Sequence, residues 1–164
     1  MVFNSYSFLL FFPIVLVLTQ LAPTKWRNGL LLLASYAFYA SWGKRFCVLL
    51  LGLTVLVYAA GLLLGRQKRR WLFWLGLAGT LGALLVYKYL DFGLYTVNAL
   101  TRALGLGEPM PRVSLLQPAG ISFFTFQAAG YLIDVYRGKY KPEKNFLRFA
   151  LFVSFFPQLL SGPI

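Results

Sequence analysis

An all-helical bundle embedded in a membrane is the fold class that this sequence predicts, and three observations carry it. Hydrophobic residues make up 59% of the 164 and charged residues only 12%, about half the charged share of a soluble domain. The apolar residues fall into long blocks of span-like length. The cations cluster in the short stretches between those blocks, as in a polytopic membrane protein. The expected architecture is about six spans plus a surface amphipathic helix.

The net charge of +12 raises the question of a nucleic-acid partner. The basic residues form no single face with interleaved aromatics, so that class is set aside. The lipid bilayer is the partner that this charge distribution fits. Cys47 is the only cysteine, so no internal disulfide forms, and it reads as a small packing residue. The 164 residues hold no histidine, the commonest general acid or base. No metal site is expected.

The first span runs from about Tyr6 to Leu21, with Asn4 or Ser5 as its cap and a bend at Pro13. A cleaved leader is the other reading of this stretch. It fails because no Lys or Arg precedes the apolar run and Pro23 stands where a small-residue cleavage site belongs. Lys25, Trp26 and Arg27 make the first loop, and Gly29 to Trp42 the second span, whose aromatic end suits the interface. Gly43, Lys44 and Arg45 turn the chain into the third span, Phe46 to Leu64. The run Gly65 to Arg70 is the densest charge in the chain and reads as a topology signal with headgroup contact. Trp71 to Tyr89 is the fourth span, with Gly76, Gly79 and Gly82 allowing close helix approach.

Asp91 to Leu104 is less apolar and is expected to lie along the membrane surface, and Gly105 to Gln117 reads as a loop. The fifth span is Pro118 to Tyr136, stopped at Gly138. The sixth is Phe146 to Leu160, capped by Asn145 and kinked at Pro157. Loops one, three and five carry two, four and four cations, against two and three for loops two and four. The first set should be cytoplasmic.

Polar residues inside the last two spans are the candidate site. Gly120, Gln127 and Asp134 are spaced seven apart with Tyr131 beside them, so they form one helical stripe. Ser154, Gln158 and Ser161 share a face of the next helix, where Pro157 frees a carbonyl. Such stripes either glue helices together or line a passage. An acid in an apolar helix is costly, so Asp134 should sit at a boundary, as a helix-end partner for Arg137, or face a polar interior. Ser161-Gly162-Pro163-Ile164 begins a turn with no charged tail after it, so the sequence is expected to be the N-terminal portion of a longer protein.

Four stretches of this region carry a resemblance: GISFFTFQ (Gly120 to Gln127), YLIDVYRG (Tyr131 to Gly138), KPEKNF (Lys141 to Phe146) and FFPQLLSGPI (Phe155 to Ile164). With the opening NSYSFLLFFP (Asn4 to Pro13), they resemble the membrane-bound O-acyltransferase family. The closest likeness is to the branch typified by the bacterial alginate O-acetyltransferase membrane subunit. The resemblance covers nearly the whole chain and is specific in the order and spacing of its motifs.

It implies a multi-span enzyme of the bacterial inner membrane. That enzyme would move acetyl from a cytoplasmic donor such as acetyl-CoA, a co-substrate and not a resident cofactor. The acceptor would be hydroxyls of an exported polysaccharide such as alginate, with periplasmic acetyl-transfer partner proteins. Residues 1–117 would be the N-terminal spans and amphipathic helix, and 118–164 the start of the acyltransferase core. The family's catalytic histidine lies in a later region, so no catalytic residue is assigned here and this portion is expected to be inactive alone. Gln127, Tyr131, Asp134, Ser154 and Gln158 would line the substrate passage. The basic loop of Arg137, Lys139, Lys141 and Lys144 would attract an anionic donor, or else serve topology alone. Acyl transfer to peptidoglycan or teichoic acid is the alternative within the family. A transporter, an export channel or a non-catalytic scaffold is the alternative outside it.

Overall fold

The computed structural model describes residues 6–104, 118 and 120–159, apart from the side chains of Ser7 and Asp91. Every regular element among them is an α-helix. The expected cap at Asn4 or Ser5, the loop Gly105 to Gln117, and Ser161 with the final turn lie outside the described residues.

Helix α1 (Tyr6–Leu21) runs through Pro13 without interruption. Helix α2 (Thr24–Ala40) starts earlier than the sequence suggests, directly after Pro23. Lys25, Trp26 and Arg27 therefore form its first turn and not a loop. Arg27 reaches back to donate to the carbonyls of Ala22 (3.1 Å) and Gln20 (3.3 Å) at the end of α1, where a cation suits the negative end of the helix dipole. Helix α3 (Lys44–Arg66) is the central element.

Helix α4 runs unbroken from Arg70 to Ala103, 34 residues. The expected separate surface helix is the C-terminal part of this one. No proline interrupts the stretch, and Gly93 alone costs too little to stop it. At 1.5 Å per residue α4 is about 50 Å long, against about 30 Å of bilayer hydrocarbon.

Helix α5 (Ile121–Tyr136) packs against both α3 and α4. The core between them is apolar, built from residues such as Leu50, Val57, Leu64, Phe124 and Leu132, all fully buried. A second cluster joins α1, α2 and the chain's last described helix through Phe8, Phe11, Phe38 and Phe156, with ring centroids 5.6–6.5 Å apart.

The outer surface is apolar as well. Leu33 and Val48 are 73% and 72% exposed in mid-helix, a surface that water does not favour. Lys44–Arg66 and Arg70–Leu90 are long and apolar enough to cross a membrane, with mean hydropathy 2.6 and 1.4. Only 33% and 22% of those windows are buried. A core helix of a soluble protein would be mostly covered.

The expected sixth span is two helices, α6 (Phe146–Ser154) and α7 (Phe156–Leu159). The break falls at Phe155, which is extended (φ −60°, ψ 111°), two residues before Pro157. Pro157 thereby sits in the first turn of a new helix, where no backbone N–H is needed.

The connections after α1, α3 and α5 meet at one end of the bundle. A methyl group at Gly29, early in α2, would lie 3.9 Å from the Leu147 side chain in α6, and one at Gly138 would lie 2.9 Å from Lys68 Nζ. The cations of the three connections that the sequence groups together are thus gathered in space.

Candidate functional site

The break between α6 and α7 strands two backbone groups, and each finds a side chain. The Phe156 N–H donates to Ser35 Oγ at 3.2 Å, and that hydroxyl donates onward to the Leu31 carbonyl at 2.8 Å. The Phe152 carbonyl accepts from Gln127 Nε2 at 2.9 Å. The sequence expectation of a freed carbonyl near Pro157 is met, and the group that takes it is Gln127 of the neighbouring helix. Because a carbonyl only accepts, the amide nitrogen must face it. Gln127 Oε1 therefore points the other way, and it is buried with no hydrogen-bond partner among the described residues.

Helix α5 ends in a Schellman motif. The Lys139 N–H bonds the Asp134 carbonyl at 2.9 Å and the Gly138 N–H bonds the Val135 carbonyl at 3.0 Å, with Gly138 at φ +77°. Gly138 stops the helix as the sequence indicates. The turn brings Lys139 back onto Asp134, with Nζ 3.8 Å from Oδ1. Lys139, not Arg137, is the partner of this acid. The Asp134 side chain is 33% exposed and sits in the last turn of α5, at the helix boundary.

The loop that follows is held at three points. Tyr131 Oη accepts from the Glu143 N–H at 3.0 Å, and Tyr58 Oη donates to the Lys144 carbonyl at 2.5 Å. Pro142 seats against Gly65, where a methyl group would come within 2.3 Å of its ring. Gly61, one turn earlier in α3, leaves room for the Tyr131 ring in the same way (2.8 Å). The pair Gly61 and Gly65 is a small-xxx-small signature that the sequence reading passed over. Glu143 Oε1 accepts from the Asn145 N–H at 2.8 Å, and Asn145 Oδ1 accepts from the N–H groups of Leu147 (3.0 Å) and Arg148 (3.3 Å). Asn145 is thus the cap that the sequence assigns to α6. Asn145→Ala should destabilise the protein by about 1 kcal/mol, read as a lower midpoint of thermal unfolding in detergent.

These pieces enclose a cavity of about 590 Å³ at the basic end, lined by Gln127, Tyr131, Asp134, Lys141, Arg148 and Phe152 among others. Three of the five residues expected to line a passage share its wall. Gly120, the first member of their stripe, does not. It sits against the backbone of Leu159 at the start of α5. Ser154 is fully buried and donates to its own helix, at the Ala150 carbonyl (2.7 Å), so it reaches no cavity. Gln158 opens onto a separate groove of about 310 Å³ with Asn28, Leu151 and Phe155. The helix break separates Ser154 from Gln158, which an unbroken helix would have kept on one face. Arg148 and Phe152 line both spaces, so the cavity and the groove adjoin along the outer face of α6.

Of the four loop cations, Lys141 lines the cavity and Lys139 pairs with Asp134, while Arg137 is exposed outside the lining. The Lys144 carbonyl holds the Tyr58 bond, and its side chain is not part of the wall. Arg148 is the cavity cation that the sequence reading missed. It lies one turn beyond the cap, inside what reads as an apolar span.

No family model and no solved structure matches the chain. Curated proteins do. It is 43% identical over 171 residues to the probable alginate O-acetylase AlgI of Pseudomonas aeruginosa, covering 100% of this chain and 32% of that protein. The protein of the same description from Pseudomonas syringae pv. tomato is also 43% identical, covering 100% and 33%. A peptidoglycan O-acetyltransferase of Helicobacter pylori is 34% identical, covering 88% and 31%. The chain thus spans about a third of the length of the curated relatives it matches. These names agree with the resemblance carried by the motifs between Gly120 and Ile164.

Proposed function

From this homology along its entire length, we propose that the chain is part of a membrane-bound O-acyltransferase that places acetyl groups on hydroxyls of an exported polysaccharide such as alginate. The observation that carries the reading is the 43% identity, across all of this chain, to alginate O-acetylases. In this reading the chain makes about six passes through a bacterial inner membrane. Residues 1–117 form the N-terminal spans, and 118–164 open the acyltransferase core. The basic end faces the cytoplasm, in keeping with the distribution of cations. The 590 Å³ cavity lies at that end and receives the acetyl donor, such as acetyl-CoA, while periplasmic proteins assist at the other face.

Attack of a hydroxyl on a thioester needs a base beside the hydroxyl and donors for the oxyanion. With no histidine among the 164 residues, the role of this portion is binding and positioning. Gln127 and Tyr131 fix the cavity wall by bracing α6 and the basic loop. Asp134 lies in the last turn of α5, at the helix boundary, which leaves little support for a transporter with ionisable residues at mid-membrane.

Transfer to peptidoglycan is the second reading, favoured by the 34% identity to the Helicobacter pylori enzyme. Deleting the gene decides between them. Loss of O-acetyl groups from the exported polysaccharide, read by proton NMR, is the expected result. Loss from muramic acid instead supports the second reading, and no change in either polymer overturns both.

A further inference from the structure

Helices α3 and α4 pack closely over only part of their length. A methyl group at Gly76 would lie 3.0 Å from the Ala60 Cβ, and one at Gly79 would lie 3.1 Å from the Leu56 side chain. Toward the start of α3, at the end away from the basic connections, the two helices leave a groove of about 380 Å³. Gly52 opens onto it, with nothing within 4 Å of an added methyl. Val48, Leu53 and Ala83 supply apolar wall. Arg45 is the one charged side chain among those described on the lining. It is exposed and makes no side-chain hydrogen bond or ion pair among the described residues. The first turn of α3 holds no acid, and no side chain caps it. Lys44 and Arg45 thus stand at the positive end of a helix dipole, where an anion is favoured and a cation is not.

The dimensions narrow the choice of occupant. From Arg45 to Leu56 the helix rises about 16 Å, and one leaflet of bilayer hydrocarbon is about 15 Å deep. A cation therefore marks one end of the groove and small residues close the other, a single leaflet apart. A volume of 380 Å³ over that length is too narrow for a further helix, about 10 Å across with its side chains. It suits an extended hydrocarbon chain. Val48 and Leu56 are 72% and 40% exposed beside it, so the groove is open from the apolar outer surface.

We propose that this groove holds an acyl chain of an anionic phospholipid, from the leaflet opposite the basic end, with the lipid phosphate on Arg45. Arginine offers a planar fork of donors that fits phosphate oxygens. The lipid fills the space that Gly52 leaves and completes the packing of α3 on α4. The site is separate from the cavity at the basic end and does not rest on the acetyl-donor reading.

Photolabelling tests it on the full-length protein in phosphatidylcholine nanodiscs. The probe is phosphatidylglycerol with a diazirine at the end of one acyl chain, and the labelled peptides are mapped by mass spectrometry. Label is expected on the segments around Gly52 to Leu56 and Gly79 to Ala83. Arg45→Gln should weaken probe binding there about tenfold. Lys44→Gln, the same charge change one residue away but off the lining, should change it less than twofold. Gly52→Leu should abolish the label by filling the groove, with no fall in the thermal midpoint, because the position is open. Should Gly52→Leu unfold, the comparison of Arg45→Gln with Lys44→Gln decides alone. Equal labelling of Arg45→Gln, Lys44→Gln and the unaltered protein overturns the proposal, as does equal labelling by a phosphatidylcholine probe with the same diazirine. No label on either segment means that another part of the longer protein covers the groove, and this overturns it too.

Discussion

Gly120→Ala is expected to be the most damaging single-methyl change in the described part of the molecule. Two independent obstacles meet at this residue. Its φ is +73°, which costs an L-residue about 1–2 kcal/mol. The added methyl would also lie 1.7 Å from the Leu159 carbonyl oxygen and 2.9 Å from its carbon. That obstacle is backbone, and it cannot rotate away as a side chain would. Either the start of α5 or the end of α7 has to move, at a further cost of about 1–3 kcal/mol for overpacking. The sum, about 2–5 kcal/mol, is a large part of the net stability of a typical fold.

Gly138 supplies the comparison. Its φ of +77° is nearly the same, but an added methyl meets only the mobile tip of Lys68, at 2.9 Å from Nζ. Gly138→Ala should therefore show the backbone cost alone, about 1–2 kcal/mol. The measurement is the thermal unfolding midpoint of each variant in detergent. A Gly120→Ala shift no larger than that of Gly138→Ala would mean that α5 and α7 do not pack backbone to backbone.

Much of this arrangement is legible in the sequence wherever local chemistry decides it. Asn145 caps α6 and Gly138 stops α5 because each does so through its own backbone and side chain, with no distant partner required. The stripe of Gln127, Tyr131 and Asp134 falls on one cavity wall because α5 is unbroken there. Expectations that depended on a second element fared differently. The start of α2 moved forward because Arg27 could satisfy the end of α1. The break near Pro157 settled at Phe155, where Ser35 and Gln127, from two other helices, take the stranded backbone groups. That choice put Gln158 on a different surface from Ser154. The continuation of α4 past Asp91 was hidden by a change in composition that carries no helix-breaking residue. Arg148 was overlooked because an apolar context marks a span, while its position just after the cap places it at the cavity.

The notch at Gly65 gives the second large effect, because it links helix packing to the cavity. A methyl group at Gly65 would stand 2.3 Å from Pro142 Cγ, 2.9 Å from Cδ and 3.3 Å from Cβ. The proline ring has almost no rotamers with which to yield, so the loop itself must lift. Lifting it pulls Glu143 from Tyr131 Oη and Lys144 from Tyr58 Oη, and it carries Lys141 and Glu143 off the cavity wall. Gly65→Ala should cost about 1–3 kcal/mol in thermal stability and should also weaken binding of the proposed acetyl donor by the full-length protein. Gly52→Ala is the matching change on the same helix at a place with nothing within 4 Å. It should raise stability by about 0.5–1 kcal/mol through helix propensity and leave donor binding as it was. If both alanines stabilise alike, Pro142 does not rest on α3 and the loop is not anchored there. If Gly65→Ala destabilises but binding is untouched, the anchored loop is a structural brace and its cations do not reach the ligand.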